Sequence, residues 1–273
     1  MQTTRNSRIS QLRQSGFKIA TVTTSLVLAA LIITVLVCVV TRTTPQALWQ
    51  SLALREIRFA IQMSLITSAI STVVCIVVSI PAAYALSRYR IRGSSIITIA
   101  LDAPLALPPL VAGVGLLILF GTTPIGKSLA DAGLKFVFTP LGIIIAQFFV
   151  NVPFMFRIMR STFQGINPRY EYVAKTLGCT ESQAFWRVTL PMARNGLLAG
   201  AIITWCKAIG EFGAALMLAG ATRMKTETLP ISLYLSMSCG DLSLAIAAAT
   251  ILIAISLASL LLFEKYGGHV NVF

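Results

Sequence analysis

Charge is scarce in this chain of 273 residues: Asp, Glu, Lys and Arg together supply 11% of it, against about 25% in soluble domains. Hydrophobic residues make up 56% and the mean hydropathy is +0.83. Too few polar groups remain to cover a water-exposed surface, so a soluble globule is excluded. There is one histidine, His269, which excludes a histidine-based catalytic or metal cluster. The five cysteines (Cys38, Cys75, Cys179, Cys206 and Cys239) are scattered, odd in number and without a C-x-x-C pair, a pattern of neither a disulfide framework nor a zinc site. Acidic residues number 9 against 22 basic ones, a net charge of +13. In a soluble protein that excess would point to nucleic acid. Here the bases gather in the loops of one side, and a membrane explains them without a nucleic-acid partner.

Long uncharged runs are what the sequence has in abundance. They cover residues 19–41, 59–87, 93–120 (interrupted by Asp102), 136–156, 195–221 (interrupted by Lys207 and Glu211) and 242–263. About 20 apolar residues cross the hydrocarbon core as a helix, and helices satisfy their own backbone in lipid. The reading is an all-α polytopic membrane protein with six transmembrane helices and short loops. The first run has 23 apolar residues, against roughly 7–15 for a cleavable signal, and reads as a retained anchor after a basic tail, 1–18. With the N-terminus inside, fourteen of the 22 Lys and Arg fall in inner segments, seven in outer ones, and Lys207 within a span. The positive-inside rule then places both termini, including the tail 264–273, in the cytoplasm.

Gly121-Thr-Thr-Pro-Ile-Gly126-Lys127-Ser128 matches the phosphate-binding pattern G-x-x-x-x-G-K-[ST]. That pattern cradles phosphates only between a strand and a helix. Here it follows a hydrophobic span, on the outer side by this topology, and no strand ending in Asp follows. It reads as a turn leading into a short outer helix.

The third run contains LDAPLALPPLVAGVG. Pro104, Pro108 and Pro109 each remove a backbone donor, and Gly113 and Gly115 add freedom. The segment is either a gate lining a pathway or a kinked packing helix. In the fifth run Gly196, Gly200, Thr204 and Ala208 form a stripe of small residues that lets another helix approach. Lys207 and Glu211, either side of Gly210, stand four apart on one helical face. They form either a self-neutralising pair or, for Lys207, a cation near an anion pathway. Asp102 calls for a basic partner from the inner side.

Between the fourth and fifth runs lies a polar stretch, EYVAKTLGCTESQAFWRVTLP, from Glu171 to Pro191. Asn167-Pro168 supplies an N-cap and a first-turn proline. Tyr170, Val173, Ala174 and Leu177 share one face. Gly178 ends the helix, and Thr180-x-x-Gln183 is a capping box for a second one. Ala184, Phe185 and Val188 give that helix an apolar face, and Pro191 is expected to stop it. Two short helices thus meet at a glycine elbow.

This stretch resembles the cytoplasmic loop of permease subunits of bacterial and archaeal ABC importers. An alanine-containing cluster with an acid leads to Gly178, nine residues follow to Arg187, and Val188-Thr-Leu190-Pro191 closes the motif. Glu171 sits one position earlier than the commonest spacing, with Tyr172 where the acid usually stands. The segments IPAAYALSRYR from Ile80, APLALPPLVAGVGLLILFG from Ala103 and KAIGEFGAALMLAG from Lys207 resemble the branch importing molybdate, tungstate or sulfate, and the likeness runs over residues 59–263.

The resemblance implies the type I importer permease fold, with the loop 167–191 docking on a separate ATPase subunit through Glu171, Ala174, Gly178, Thr180, Val188, Leu190 and Pro191. It implies two permease copies around one pathway, a homodimer by preference, and an external substrate-binding protein. The chain itself would hold no catalytic residue, metal or cofactor, with ATP and magnesium at the ATPase. The Pro/Gly breaks and the intramembrane charges, rather than the resemblance, make Pro108, Pro109, Gly113, Gly115, Lys207, Gly210 and Glu211 the pathway or gate candidates. The implied cargo is a tetrahedral oxyanion, molybdate or tungstate, crossing a prokaryotic plasma membrane, with sulfate or thiosulfate as the alternative. A different class, the ion-coupled secondary transporter, would need no docking loop.

Overall fold

The computed structural model describes residues 2–266; His269 and most of the tail 264–273 lie outside the described residues. A continuous helix, α1 (Gln2–Thr41), takes in the segment read as a basic tail. Its apolar part, Phe17–Thr41, is exposed on every face and rests against α14 (Leu242–Tyr266), the surface of a helix meant for lipid or another helix. A short helix, α2 (Pro45–Ala53), follows, its start capped by the Thr44 hydroxyl, which accepts from the Ala47 N–H at 3.2 Å.

The centre of the bundle is the pair α3 (Arg55–Arg88) and α7 (Pro140–Gly165). The buried face of α3 carries Ser64, Ser68, Ser71, Cys75 and Ser79. These side chains are small enough for close backbone approach: Cys75 Sγ and Ser79 Oγ reach the carbonyls of Phe148 and Val152 at 3.9 and 3.4 Å. The α7 helix outruns the uncharged stretch 136–156, and Arg157 and Arg160, on one face of it, find partners in the segment Ser94–Ala106. Arg157 grips Asp102 with two bonds, at 2.9 and 3.0 Å, the basic partner that Asp102 calls for. Arg160 donates to Thr98 at 3.0 Å.

Two of the six expected spans are broken. The third is α4 (Ser94–Ala106) and α5 (Pro109–Thr122), bent by 113°; the fifth is α11 (Arg194–Ile209) and α12 (Gly213–Ala219), bent by 59°. Pro104 is carried inside α4, and the break falls at Leu107–Pro108, where Pro109 cannot donate to the preceding turn. Both broken pairs still traverse the bundle, because their partners follow α7 from its last turns to its first. For α4–α5 the order is Thr98 with Arg160, Asp102 with Arg157, then Ala112 and Leu116 in one core with Ile143 and Ala146, and Phe120 stacked at 4.5 Å on Phe136 just before α7. For α11–α12 it is Gly196 against Thr162, Gly200 against Met155, the Ala208 carbonyl accepting from Gln147, and the Leu218 carbonyl accepting from Phe138 N at 3.1 Å. The small stripe Gly196, Gly200, Thr204, Ala208 is buried throughout, and a Cβ at Gly196 would overlap Thr162.

Among the described residues four straight helices are long and apolar enough to cross a membrane, and the spans number six when each broken pair is counted as one. One element not expected from the hydrophobic runs is α13 (Leu229–Ser238), too short to cross yet buried at Leu229 against α3 and α14 and at Ile231 in the core with α5, α7 and α12. Its first turn is held by Ser64 Oγ, which accepts from Leu229 N at 2.8 Å.

The phosphate-loop lookalike is helical. Gly121 and Thr122 end α5, Thr123 caps α6 (Pro124–Asp131), and the N–H groups of Gly126 and Lys127 are engaged by Thr123. A Cβ at Gly126 would strike the Phe120 carbonyl, so this glycine serves the close turn between two helices.

Candidate functional site

At the end of the bundle where α3 and α7 finish, the polar stretch forms α8 (Arg169–Thr176) and α9 (Glu181–Ala184). The Asn167 side chain accepts from Arg169 N at 3.0 Å, and regular helix begins one residue later than expected. Gly178 has φ of +91°, a conformation that side chains resist. The Cys179 and Gly178 N–H groups close back on the Ala174 and Lys175 carbonyls, both at 3.0 Å, the two bonds of a Schellman ending. Both bonds of the Thr180–Gln183 capping box are present, and Lys175 bridges to Glu181 at 3.2 Å across the elbow.

Pro191 does not stop the second helix. After α9 the chain widens into a π turn, Phe185–Thr189, in which Leu190 N donates to the Phe185 carbonyl; α10 (Leu190–Met192) follows and leads through Ala193 into α11. A π turn shifts the bonding register by one residue and accommodates the donor that proline lacks. The polar segment is thus continuous with α11.

Of the apolar face Tyr170, Val173, Ala174 and Leu177, only Ala174 is buried; Leu177 is 81% exposed and Tyr170 and Val173 stand out beside it. Val188 and Leu190 are half-buried, while Gly178, Thr180 and Pro191 are exposed. An apolar stripe held outward on a tightly bonded frame marks a contact with another protein or with the lipid surface.

Glu171 faces the other way. It is buried, and its carboxylate accepts from Arg88 Nε at 2.8 Å, Thr189 Oγ1 at 2.8 Å and Tyr84 OH at 3.0 Å, while Arg88 also donates to the Ile166 carbonyl at 3.0 Å. Tyr84 stacks edge-on against Phe163 and Phe185, with centroids 5.7 and 4.7 Å away. The acid therefore bolts α8 and the π turn to the end of α3. Burial by itself pushes the Glu171 carboxyl up, but bonds from Arg88, Thr189 and Tyr84 outweigh it and hold the group below its ordinary value of 4.5. A depressed carboxylate stabilises the fold above its unfolded pKa and ceases to do so as pH falls through the folded one. Hydrogen exchange of residues 169–176, corrected for intrinsic rate, is expected to stay slow from pH 7 down through 4.5 and to quicken only below it.

The second locus is a cavity of about 440 Å³ where the two broken spans meet α7, lined among others by Pro109, Asn151, Phe154, Lys207, Gly210 and Glu211. Of the expected pathway residues, Pro109, Lys207, Gly210 and Glu211 are brought together here. Pro108 is exposed at the break, Gly113 is buried against α12, and Gly115 is exposed on α5. Lys207 and Glu211 do not form the expected pair: α11 ends at Ile209, so Glu211 leaves the helical register. Glu211 Oε1 instead accepts from Ala214 N at 2.9 Å, and Lys207 Nζ lies 4.2 Å from the centre of the Phe154 ring.

Asn151 and Gln147, four apart in an apolar run, passed unnoticed in the sequence although their spacing was visible there. Both are buried. Gln147 Nε2 donates to the Ala208 carbonyl at 2.9 Å and Asn151 Nδ2 to the Gln147 carbonyl at 2.7 Å, while the side-chain oxygen of each has no partner. Among the described residues no three His, Cys, Asp or Glu side chains gather to hold a metal.

Known proteins share this architecture. Residues 75–266 match the family described as "Binding-protein-dependent transport system inner membrane component". The chain is 34% identical over 209 residues to the molybdenum transport system permease protein ModB of Mycobacterium tuberculosis, covering 76% of this chain and 79% of the relative. It is likewise 34% identical over 224 residues to the sulfate transport system permease protein CysW of Synechocystis, covering 81% of each, and 36% identical over 204 residues to a probable molybdenum ABC transporter permease of Haloferax volcanii, covering 75% and 73%. Among solved structures, a bacterial ABC transporter importing the polysaccharide alginate superposes with a TM-score of 0.67 at 17% identity, covering 82% of this chain and 83% of that one. The MetNI methionine transporter, inward facing, gives 0.58 at 16%, covering 82% and 98%. The crossings, the bolted helix pair and these likenesses agree: the chain belongs to the inner membrane components of binding-protein-dependent transport systems, as a non-catalytic, multi-pass permease subunit of an ABC importer.

Proposed function

We propose that this permease carries a tetrahedral oxyanion into the cell, molybdate or tungstate in the first place, with a cytoplasmic ATPase docked on α8–α10, a binding protein delivering cargo from outside, and a second copy of the chain completing the pathway. The observation that carries the coupling role is the exposed stripe of Tyr170, Val173 and Leu177 on a frame bolted to α3 by Glu171. Arg88, Arg90, Arg92, Arg169 and Arg187 cluster in sequence around that end, which supports a cytoplasmic position for it and for both termini. The oxyanion class is supported by relatives named for molybdenum and for sulfate at similar identity, and sulfate is therefore the second reading.

The test is uptake into proteoliposomes holding the permease with its ATPase and binding protein. Molybdate and tungstate are followed by elemental mass spectrometry and sulfate by radiolabel, each with the others as competitors. ATP-dependent uptake of molybdate or tungstate that sulfate does not suppress supports the first reading. Uptake without the ATPase would instead mark an ion-coupled carrier. In the same preparation Lys127→Ala is expected to leave ATP turnover unchanged, since Lys127 sits in a helical turn. Loss of most turnover in a properly assembled complex would contradict that.

A further inference from the structure

The cavity between the two broken spans combines features that the coupling role does not use. Lys207 stands at its wall inside a span, where a charge needs a partner. What it has is the face of Phe154, a weaker partner than a carboxylate, because Glu211 has been drawn away to cap α12. Pro109, the first residue of α5, lines the same space and sets the positive end of that helix's dipole beside it, without an N–H of its own. Asn151, fully buried, contributes a side-chain oxygen with no partner. At about 30 Å³ per water, the 440 Å³ would hold on the order of a dozen waters, room for a small anion with much of its hydration shell.

We propose that this cavity is a transit site for the tetrahedral oxyanion, with Lys207 as its cation, the positive end of the α5 dipole beside it and the Asn151 oxygen accepting from shell water. The proposal rests on the oxyanion reading above. Glu211 gives the site its weakness. With Lys207 it brings the formal charge of the lining to zero, so a dianion is held loosely enough to leave, as a conducting site requires. The half-helix arrangement follows the logic by which broken helices in membranes line ion sites.

Cys206 lines the same cavity and serves as a reporter. In the permease–ATPase complex, Cys38, Cys179 and Cys239 are changed to serine, while buried Cys75 is kept. Labelling of Cys206 by a polar thiol reagent is timed with sulfate or tungstate, against chloride at equal ionic strength. A site with a Kd of about 5 mM is two-thirds filled at about 10 mM, which slows labelling about threefold. That protection is expected to vanish in Lys207→Gln and to persist in Lys207→Arg. Equal protection in Lys207→Gln, or none in the parent complex, overturns the proposal. Uptake is measured on the same preparation with the binding protein added. Uptake without protection refutes the transit site alone, whereas absence of uptake of any of the oxyanions refutes the oxyanion reading and the site with it.

Discussion

Glu171→Ala is expected to strip the permease of its ATPase while leaving it inserted in the membrane. The substitution removes the acceptor shared by Arg88, Tyr84 and Thr189 and leaves a guanidinium whose side chain is only 8% exposed without a counter-charge. Breaking one side of a buried pair costs about 3–5 kcal/mol, and every 1.4 kcal/mol or so is tenfold. The bolted arrangement of α8 would therefore lose roughly two to three and a half orders of magnitude in population. Hydrogen exchange across residues 169–192 and co-purification of the ATPase read this directly. The second change Arg88→Met should recover part of the loss, because the orphaned charge goes with it. Unaltered exchange and full retention of the ATPase in Glu171→Ala would show that the carboxylate is not what fixes the loop.

The second large effect lies at the contact of the broken spans. A Cβ at Gly113 would stand 2.8 Å from Ala214 Cα, from the Ala214 carbonyl oxygen and from Met217 Cβ. Two of these are backbone atoms that no rotamer change can move. Gly113→Val is expected to force α5 and α12 apart at the upper end of overpacking costs, about 3 kcal/mol, or roughly 6–12 °C in Tm on the scale of soluble domains. Gly115→Val, two residues on, meets nothing within 4 Å and should change Tm by no more than a degree or two. Equal thermal stability of both variants in detergent would mean that the half-helices are not packed as described. The same contrast decides where introduced cysteines can report on gating: Gly115 and Gly210 have room, and Gly113 does not.

Local signals were well written in the sequence. The left-handed Gly178 and the reciprocal Thr180–Gln183 cap each depend on neighbours within a turn, and the stripe from Gly196 to Ala208 follows from helical periodicity alone, though not the α7 face it packs on. What failed was extrapolation across a break. The i, i+4 pairing of Lys207 with Glu211 assumes a helix that Gly210 has already ended, and the stop assigned to Pro191 overlooks the π turn that absorbs it. Long-range chemistry was illegible for another reason. The partners of Glu171 are 83, 87 and 18 residues away, and neither periodicity nor composition marks which arginine among many will meet a given acid.

That separation has a consequence for how the protein is made. At about 5–20 residues per second, Arg88 leaves the ribosome roughly 4–17 s before Glu171, and Thr189 follows later still. Until then α3 ends in an arginine whose acidic partner has not yet been made. The bolt can close only when the third and fourth crossings are already threaded and the start of the fifth has emerged. With the docking role proposed above, a chain stalled or truncated before Thr189 would thus offer the ATPase a loose peptide in place of a bracket, and an incomplete permease would be passed over at assembly.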